Sequence, residues 1–297
     1  LAAYAYRASQ GKPYMYPDNN LNARENFLRM MFGYPTEEYE VDPVVSKALD
    51  KLLILHADHE QNCSTSTVRM IASAQANMFV SIAGGINALA GPLHGGANQA
   101  VLEMLEDIKN NHDGDATDFM NRVKNKEKGV RLMGFGHRVY KNYDPRVPTM
   151  EAAFMKLASE HPEKNADKSV EMYDIMAKTM EENTSIKIKP NLDYPAGPTY
   201  WLMGFDIPTF TPLFVAARIT GWTAHIMEQA ASNALIRPLS EYVGADERHV
   251  PGVDEADLPR DRGILRSLAR ENGSKFGAYL RSLTPGTIRE RDDIRLV

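Results

Sequence analysis

The chain has 297 residues, 43% hydrophobic and 25% charged, which suits a soluble globular protein of one large or two moderate domains. Lys+Arg 34 against Asp+Glu 39 gives a net charge of −5. That is too mild for a nucleic-acid or membrane partner, so an anionic substrate has to be held by local arginines rather than by a global positive field.

The single cysteine, Cys63, excludes an intrachain disulfide and a multi-cysteine metal site, and fits a reducing cytoplasm. The longest apolar stretch, Met78–Leu93, is broken by Ser, Asn and three glycines, so it does not read as a membrane span. No signal peptide is visible. The chain begins at Leu1 in sequence that reads as mid-domain, as expected of a fragment.

In chain order, the pattern predicts helix after helix. Val45, Ala48, Leu49, Leu52, Leu53 and His56 recur at helical spacing, with Asp42 placed to cap, Pro43 at the first position and His59 one further turn on. A nearly all-round apolar helix over about Ser66–Leu89 is expected next, and has to be buried. After a Gly91–Gly96 break, Ala97, Ala100, Val101, Met104, Leu105 and Ile108 make another stripe, ended by a polar turn at Asn110–Asp118. Pro148 opens the helix of Met150, Phe154 and Leu157, and Asp167 is positioned to cap that of Val170, Tyr173, Ala177 and Met180. Thr211-Pro212 starts a long helix through Arg218 to about Leu235. From Glu247 the tail turns acidic and proline-bearing, then offers one more helical stretch to Leu283 or an arm around another subunit. No run alternates as a strand does, so the expected class is all-α.

Three short segments break this pattern: Leu55–Asn62 (LHADHEQN), Gly91–Asn98 (GPLHGGAN) and Gly134–Arg146 (GFGHRVYKNYDPR). His56 reads as a core histidine. Beyond His59 the stripe turns polar at Glu60-Gln61-Asn62, as a helix does where its buried face lines a cavity. His56, His59 and Glu60 could also be read as metal ligands of a hydrolase, though no third ligand is evident. His94, between Pro92 and Gly95-Gly96 before a helix start, suits a neutral imidazole donating to a thioester or enolate oxygen. His137 and Arg138 follow Gly134-Phe135-Gly136 in a loop suited to a carbonyl and a carboxylate, with Arg146 behind Asp144-Pro145. Asp193 lies between Leu192 and Tyr194, whose apolar surface can desolvate its carboxylate and raise its basicity. Arg218 interrupts an apolar helix and Arg237 sits in Leu235-Ile236-Arg237-Pro238; with Arg146, and without obvious local acids, they suggest a di- or tricarboxylate. This set can enolise one carbonyl compound and add it to another.

The segments LHADHEQN, GPLHGGAN, MGFGHRVYKNYDPR, PNLD, ARITGWTAHIMEQ and ALIRP, in this order and spacing over about residues 1–250, resemble the citrate synthase family. The resemblance implies a helical, dimer-based enzyme that closes a small domain (105–211) onto a large one (1–104 and 212–250), leaving 251–297 as an extension. Asp193 would take a methyl proton from acetyl-CoA, His94 would stabilise the enol and His137 would polarise the ketone of oxaloacetate. His59, Arg146 and Arg218 would hold the carboxylates, with Arg237 reaching across from the other subunit. Gly134, Phe135, Gly136, Lys141 and Asn191 match the region lining the CoA arm. Neither metal nor prosthetic group is implied, and the setting would be the tricarboxylic acid cycle in the cytoplasm. Against the family, a substantial N-terminal helical portion is missing, so a catalytically incomplete fragment is the alternative of another class. The part through Tyr143 resembles bacterial citrate synthases, whereas from Arg146 on it is more similar to 2-methylcitrate synthases, which implies propionyl-CoA as an alternative donor.

Overall fold

Helix does follow helix in the computed structural model, which describes residues 1–111, 115–140, 142–163, 169–182, 188–238, 240–242 and 294–296. The helices are α1 (Ala2–Ser9), α2 (Ala23–Phe32), α3 (Pro43–His56), α4 (Cys63–Ser73), α5 (Met78–Leu89), α6 (Ala97–Asn111), α7 (Ala116–Lys124), α8 (Val147–Glu160), α9 (Ser169–Glu182), α10 (Asp193–Leu202) and α11 (Phe210–Ala231). They belong to a first unit, Leu1–Ala234; a second runs from Leu235 to Val297. There, a strand Ser240–Tyr242 pairs antiparallel with Ile294–Leu296, a short pairing that no alternating pattern announced. The tail stretch to Leu283, and Asp167, lie outside the described residues.

Helix α3 forms as its sequence expects. Asp42 Oδ1 accepts the Val44 and Val45 N–H groups at 2.8 and 3.2 Å, satisfying donors that a helix start leaves orphaned. Its buried face is Val45, Ala48, Leu49, Leu52 and His56. That face joins a large core with Leu28, Met31, Met150, Phe154, Tyr194 and Phe210. Helix α10 is enclosed by α6 and α8, and every residue from Tyr194 to Tyr200 is buried. A smaller core, Val68, Leu89, Phe214, Trp222 and Ile226, joins α4 and α5 to α11.

The expected Ser66–Leu89 helix is two helices. Asn62 caps the first, accepting Thr65 N–H at 3.1 Å, and Asn77 caps the second, accepting Val80 N–H at 3.0 Å. Between them Gln75 turns left-handed at φ 61°, and α4 and α5 pack together as a hairpin. The apolar surface is not all buried: Phe79 is 85% and Val80 52% exposed. Two smaller differences follow from capping. Asp115 caps α7, accepting Thr117 N–H at 2.8 Å inside the stretch expected as a turn, and α11 ends at Ala231. Among the described residues no helix is long and apolar enough to cross a membrane.

Arg7, fully buried in α1, closes the C-terminus of α2. It donates to the carbonyls of Met30, Met31 and Gly33 at 3.2, 3.3 and 2.8 Å, and also to that of Pro13. These are the carbonyls a helix end leaves unpaired, where a cation is also favoured by the helix dipole. Arg7→Leu strands buried acceptors and is expected to cost about 2–4 kcal/mol, read as a lower urea midpoint with an unchanged slope; an unshifted midpoint refutes this role.

Candidate active site

The loop between α3 and α4 brings His59 against the loop that carries His137. Their rings stack at 4.9 Å between centroids and 29° between planes, and Tyr140 packs on both, at 5.4 and 4.7 Å. His137 Nδ1 accepts the Val139 and Tyr140 backbone N–H groups at 3.0 and 3.2 Å. A nitrogen that accepts twice carries no proton, so in the neutral ring the N–H is on Nε2. His59 Nε2 is buried with no hydrogen-bond partner among the described residues.

The His137 loop is fixed to the start of α10. Gly134 and Gly136 both have φ +77°, and a Cβ on Gly134 would lie 2.7 Å from Val101 Cγ2, so this position admits only glycine. Asn191 braces the loop: its N–H donates to Gly134 O and its Nδ2 to Gly136 O, each at 2.9 Å, while its Oδ1 accepts Asp193 N–H at 3.0 Å. Phe135 is buried against Tyr194, with ring centroids 4.6 Å apart. Gly136, His137, Tyr140, Asp144, Ile188 and Pro190 line a pocket of about 160 Å³, smaller than the roughly 300–1,000 Å³ of sites for drug-sized ligands. Lys141 lies outside the described residues.

Asp193 is the first residue of α10, and it keeps an opening to solvent in an otherwise enclosed position. Burial between Leu192 and Tyr194 pushes its carboxyl up to about 6; the charge of Asp144 adds to this, while Arg146 and Arg218 oppose it.

His94 sits in the Gly91–Gly96 turn that leads into α6. Its Nε2 lies 2.8 Å from Ser64 Oγ, which also accepts Trp222 Nε1–H at 3.3 Å and approaches Asn62 Oδ1 at 2.9 Å. Ser64 has one proton and two acceptors within reach, so rotation of that hydroxyl selects the nitrogen on which His94 carries its own. Burial, helped by the charge of Arg218, lowers His94 to about 4, so the ring is neutral near pH 7.

The arginines divide. Arg218, 2% exposed in α11, donates from Nε to His56 O at 2.7 Å and lies 4.8 Å over the Phe214 ring. Its Nη1 is buried with no hydrogen-bond partner among the described residues. Burial draws the guanidinium down to about 10 despite the opposing charges of Asp58 and Asp193. Arg146, expected to lack a local acid, has one: Asp144 receives its Nε and Nη2 at 2.9 and 2.8 Å. Arg237 lies in the second unit, where it is exposed.

His56 is buried, as expected of a core histidine. Its Nδ1 donates to Leu52 O at 2.9 Å, and burial lowers its pKa to about 3. Its Nε2 finds no hydrogen-bond partner among the described residues. Among those residues no three His, Cys, Asp or Glu side chains are grouped to hold a metal, so the donor set of a metal-dependent hydrolase does not assemble there.

Sequence reasoning passed over three residues here. Asp144, two positions before Arg146, could have been found from the Asp-Pro-Arg spacing. Ser64 was hidden as an ordinary first-turn residue. Tyr140 offered no signal, since its contact with His59 joins segments far apart in the chain.

Fold and site together define an all-α protein in which the charge of the buried Arg218 reaches both a desolvated carboxyl, Asp193, and a neutral imidazole, His94. Residues 1–239 match the family model "Citrate synthase, C-terminal domain". The chain belongs to the citrate synthase family. It is 65% identical over 258 residues to a citrate synthase of Corynebacterium glutamicum, covering 86% of this chain and 59% of that one. A 2-methylcitrate synthase 1 of the same organism is 44% identical over 255 residues, covering 86% and 65%. Among solved structures, the citrate synthase of Thermoplasma acidophilum in ternary complex with carboxymethyl coenzyme A and oxaloacetate matches at 32% identity and a TM-score of 0.70, covering 86% of this chain and 65% of that one. The chain thus spans about three fifths of the length of the curated relatives it matches.

The buried histidines set a pH dependence of stability. His56 and His94 fold with pKa values of about 3 and about 4, against about 6.5 unfolded. Below about pH 6.5 the unfolded chain therefore binds protons that the folded chain refuses, and stability falls toward pH 4. Asp193, raised to about 6, works the other way and is outnumbered. The Tm is expected to be lower at pH 5 than at pH 7; an equal or higher Tm at pH 5 contradicts the two neutral histidines.

Proposed function

We propose that this chain carries the site that condenses acetyl-CoA with oxaloacetate and water to give citrate and CoA. The observation that carries the proposal is Asp193: a carboxyl pushed up to about 6 within the electrostatic reach of Arg146 and Arg218, the second of which also acts on the neutral His94. A weak carbon acid needs a base of raised affinity for protons and a donor for the oxygen that gains charge.

Asp193 takes a proton from the methyl carbon of the acyl thioester. His94 donates to the thioester oxygen when Ser64 turns its hydroxyl proton to His94 Nε2, since the ring's own proton is then on Nδ1. The enolate carbon bonds to the ketone carbon of oxaloacetate, whose developing oxyanion is held by a hydrogen bond from His137 Nε2–H; the proton that Asp193 took, relayed through water, completes the new hydroxyl and restores the carboxylate. Water then cleaves the resulting citryl thioester, releasing CoA as the thiol. The pair His59 and Arg218, each with a buried unpaired nitrogen, suits the carboxylates. Arg146 joins them through the face not engaged by Asp144.

The relatives favour acetyl-CoA, with 65% identity to a citrate synthase against 44% to a 2-methylcitrate synthase; propionyl-CoA is the second donor. No metal or prosthetic group has a part in these steps. The CoA arm runs past the Gly134–Gly136 loop and Lys141. Residues 105–211 act as a small domain that closes on the rest to exclude water. Two copies assemble through surfaces that include the apolar face of α5, and Arg237 completes the partner's site. The setting is cytoplasmic and the pathway the tricarboxylic acid cycle.

Two experiments test this. Oxaloacetate-dependent release of thiol from acetyl-CoA is expected, with kcat/KM rising through about pH 6 as Asp193 ionises; Asp193→Ala is expected to abolish release while leaving oxaloacetate affinity within about threefold. Normal turnover in that variant removes the base assignment. Arg218→Leu, measured by calorimetric titration with oxaloacetate, is expected to weaken binding about 10- to 100-fold, as loss of a charged hydrogen-bonding partner does; unchanged affinity places the carboxylates elsewhere.

A further inference from the structure

We propose that His225, which no step above uses, is a positioning residue that sets His59 in place through Asp58. Arg218, Gly221 and His225 are spaced three and four residues apart, so they lie along one face of α11. Each fixes one residue of the segment before His59. Arg218 Nε donates to His56 O at 2.7 Å. At Gly221 the chain passes so close that a Cβ would lie 2.2 Å from Ala57 O. His225 Nε2 lies 3.1 Å from Asp58 Oδ1.

The hydrogen bonding determines what His225 contributes. Arg69 Nη1 lies 2.9 Å from His225 Nδ1, and as arginine can only donate, that nitrogen accepts. The proton of the neutral ring is therefore on Nε2, aimed at Asp58. Glu228 receives the same Arg69 Nη1 and holds the guanidinium in place. The other oxygen of Asp58 accepts Glu60 N–H at 3.2 Å, and Glu60 is a left-handed non-glycine residue at φ 53°. Asp58 thus spans His59, tied on one side to α11 and on the other to the strained residue that turns the chain. His59 itself is held by its stack on His137 and Tyr140, by these neighbours and by Asn62 Nδ2, which donates to its carbonyl at 3.5 Å, while its buried Nε2 has no hydrogen-bond partner among the described residues. Removing the His225 donor frees Asp58, relaxes the Glu60 turn and loosens the ring.

The consequence for oxaloacetate rests on the reading of His59 as a carboxylate ligand; the consequence for the ring does not. The test therefore reads both in the whole chain, for His225→Ala and for His225→Gln, whose amide can restore an N–H toward Asp58. Proton NMR of the histidine Hε1 signals reports the His59–His137 stack through ring-current shifts. These are expected to move toward unstacked values in His225→Ala and to return in His225→Gln. The oxaloacetate Kd, measured by calorimetry, is expected to rise about tenfold in His225→Ala and to recover in His225→Gln, with the KM for acetyl-CoA unchanged. Stacked shifts and wild-type affinity in His225→Ala overturn the proposal, and so does a lost stack that the glutamine fails to restore. A wild-type chain that binds no oxaloacetate overturns the reading of His59, while the NMR signals still decide whether His225 positions it.

Discussion

The site hangs on the buried carboxylate of Asp144. It is 2% exposed and accepts four hydrogen bonds: Arg146 N–H and Nε–H on Oδ1, Arg146 Nη2–H and Leu192 N–H on Oδ2. Burial alone would raise its pKa, but these bonds more than offset it and hold the group below the usual carboxylate range. One ion thereby joins the start of α8 to the start of α10. It orients Arg146, seats Leu192 and so places Asp193, whose basicity its own charge increases. Losing this one carboxylate would leave a half-buried arginine and an unpaired backbone N–H at the same spot, the costly way to break a buried pair.

Around that anchor burial shifts the ionisable groups apart. Asp193 is pushed up while His94 is pushed down, and burial is the largest cause of both. On the proposed reading, a base and an oxyanion donor are each ready near neutral pH because their environments shift them in opposite directions. The arginines keep this from running too far. Arg146 and Arg218 lower Asp193, whose carboxyl is therefore raised no further than about 6, and Arg218 adds to the burial that keeps His94 unprotonated.

Most helices were legible because local chemistry and tertiary structure agree. Asp42-Pro43 opens α3, and the α6 and α8 stripes are buried as their spacing requires. The histidines and Asp193 stood out because each interrupts a pattern: a stripe that turns polar, a glycine pair, an apolar turn. What escaped depended on contacts across the fold. Nothing local announces that Gln75 turns left-handed, or that α5 leaves Phe79 exposed. Arg146 looked unpaired because a pair at i and i+2 falls outside helical spacing; the turn ahead of α8, closed by Val147 N–H on Asp144 O at 3.2 Å, brings the two side chains together. His225 was read as one more helical residue, since its partner Asp58 is 167 residues away along the chain.

The unpaired groups bear on specificity. Arg218 Nη1, His59 Nε2 and His56 Nε2 are buried without hydrogen-bond partners among the described residues. Each such atom costs about 1–3 kcal/mol in the unliganded fold. A packed interior tolerates few of them, and here they lie on α11 and on the α3–α4 segment that α11 holds. His56, with its proton on Nδ1, offers only an acceptor at Nε2, so the oxygens of an anion can satisfy Arg218 Nη1 and, where it carries the ring proton, His59 Nε2. On the proposed reading this cost favours an anion there, and Arg218, tied through Nε to His56 O, keeps its free donor and the loop that carries His59 in one place.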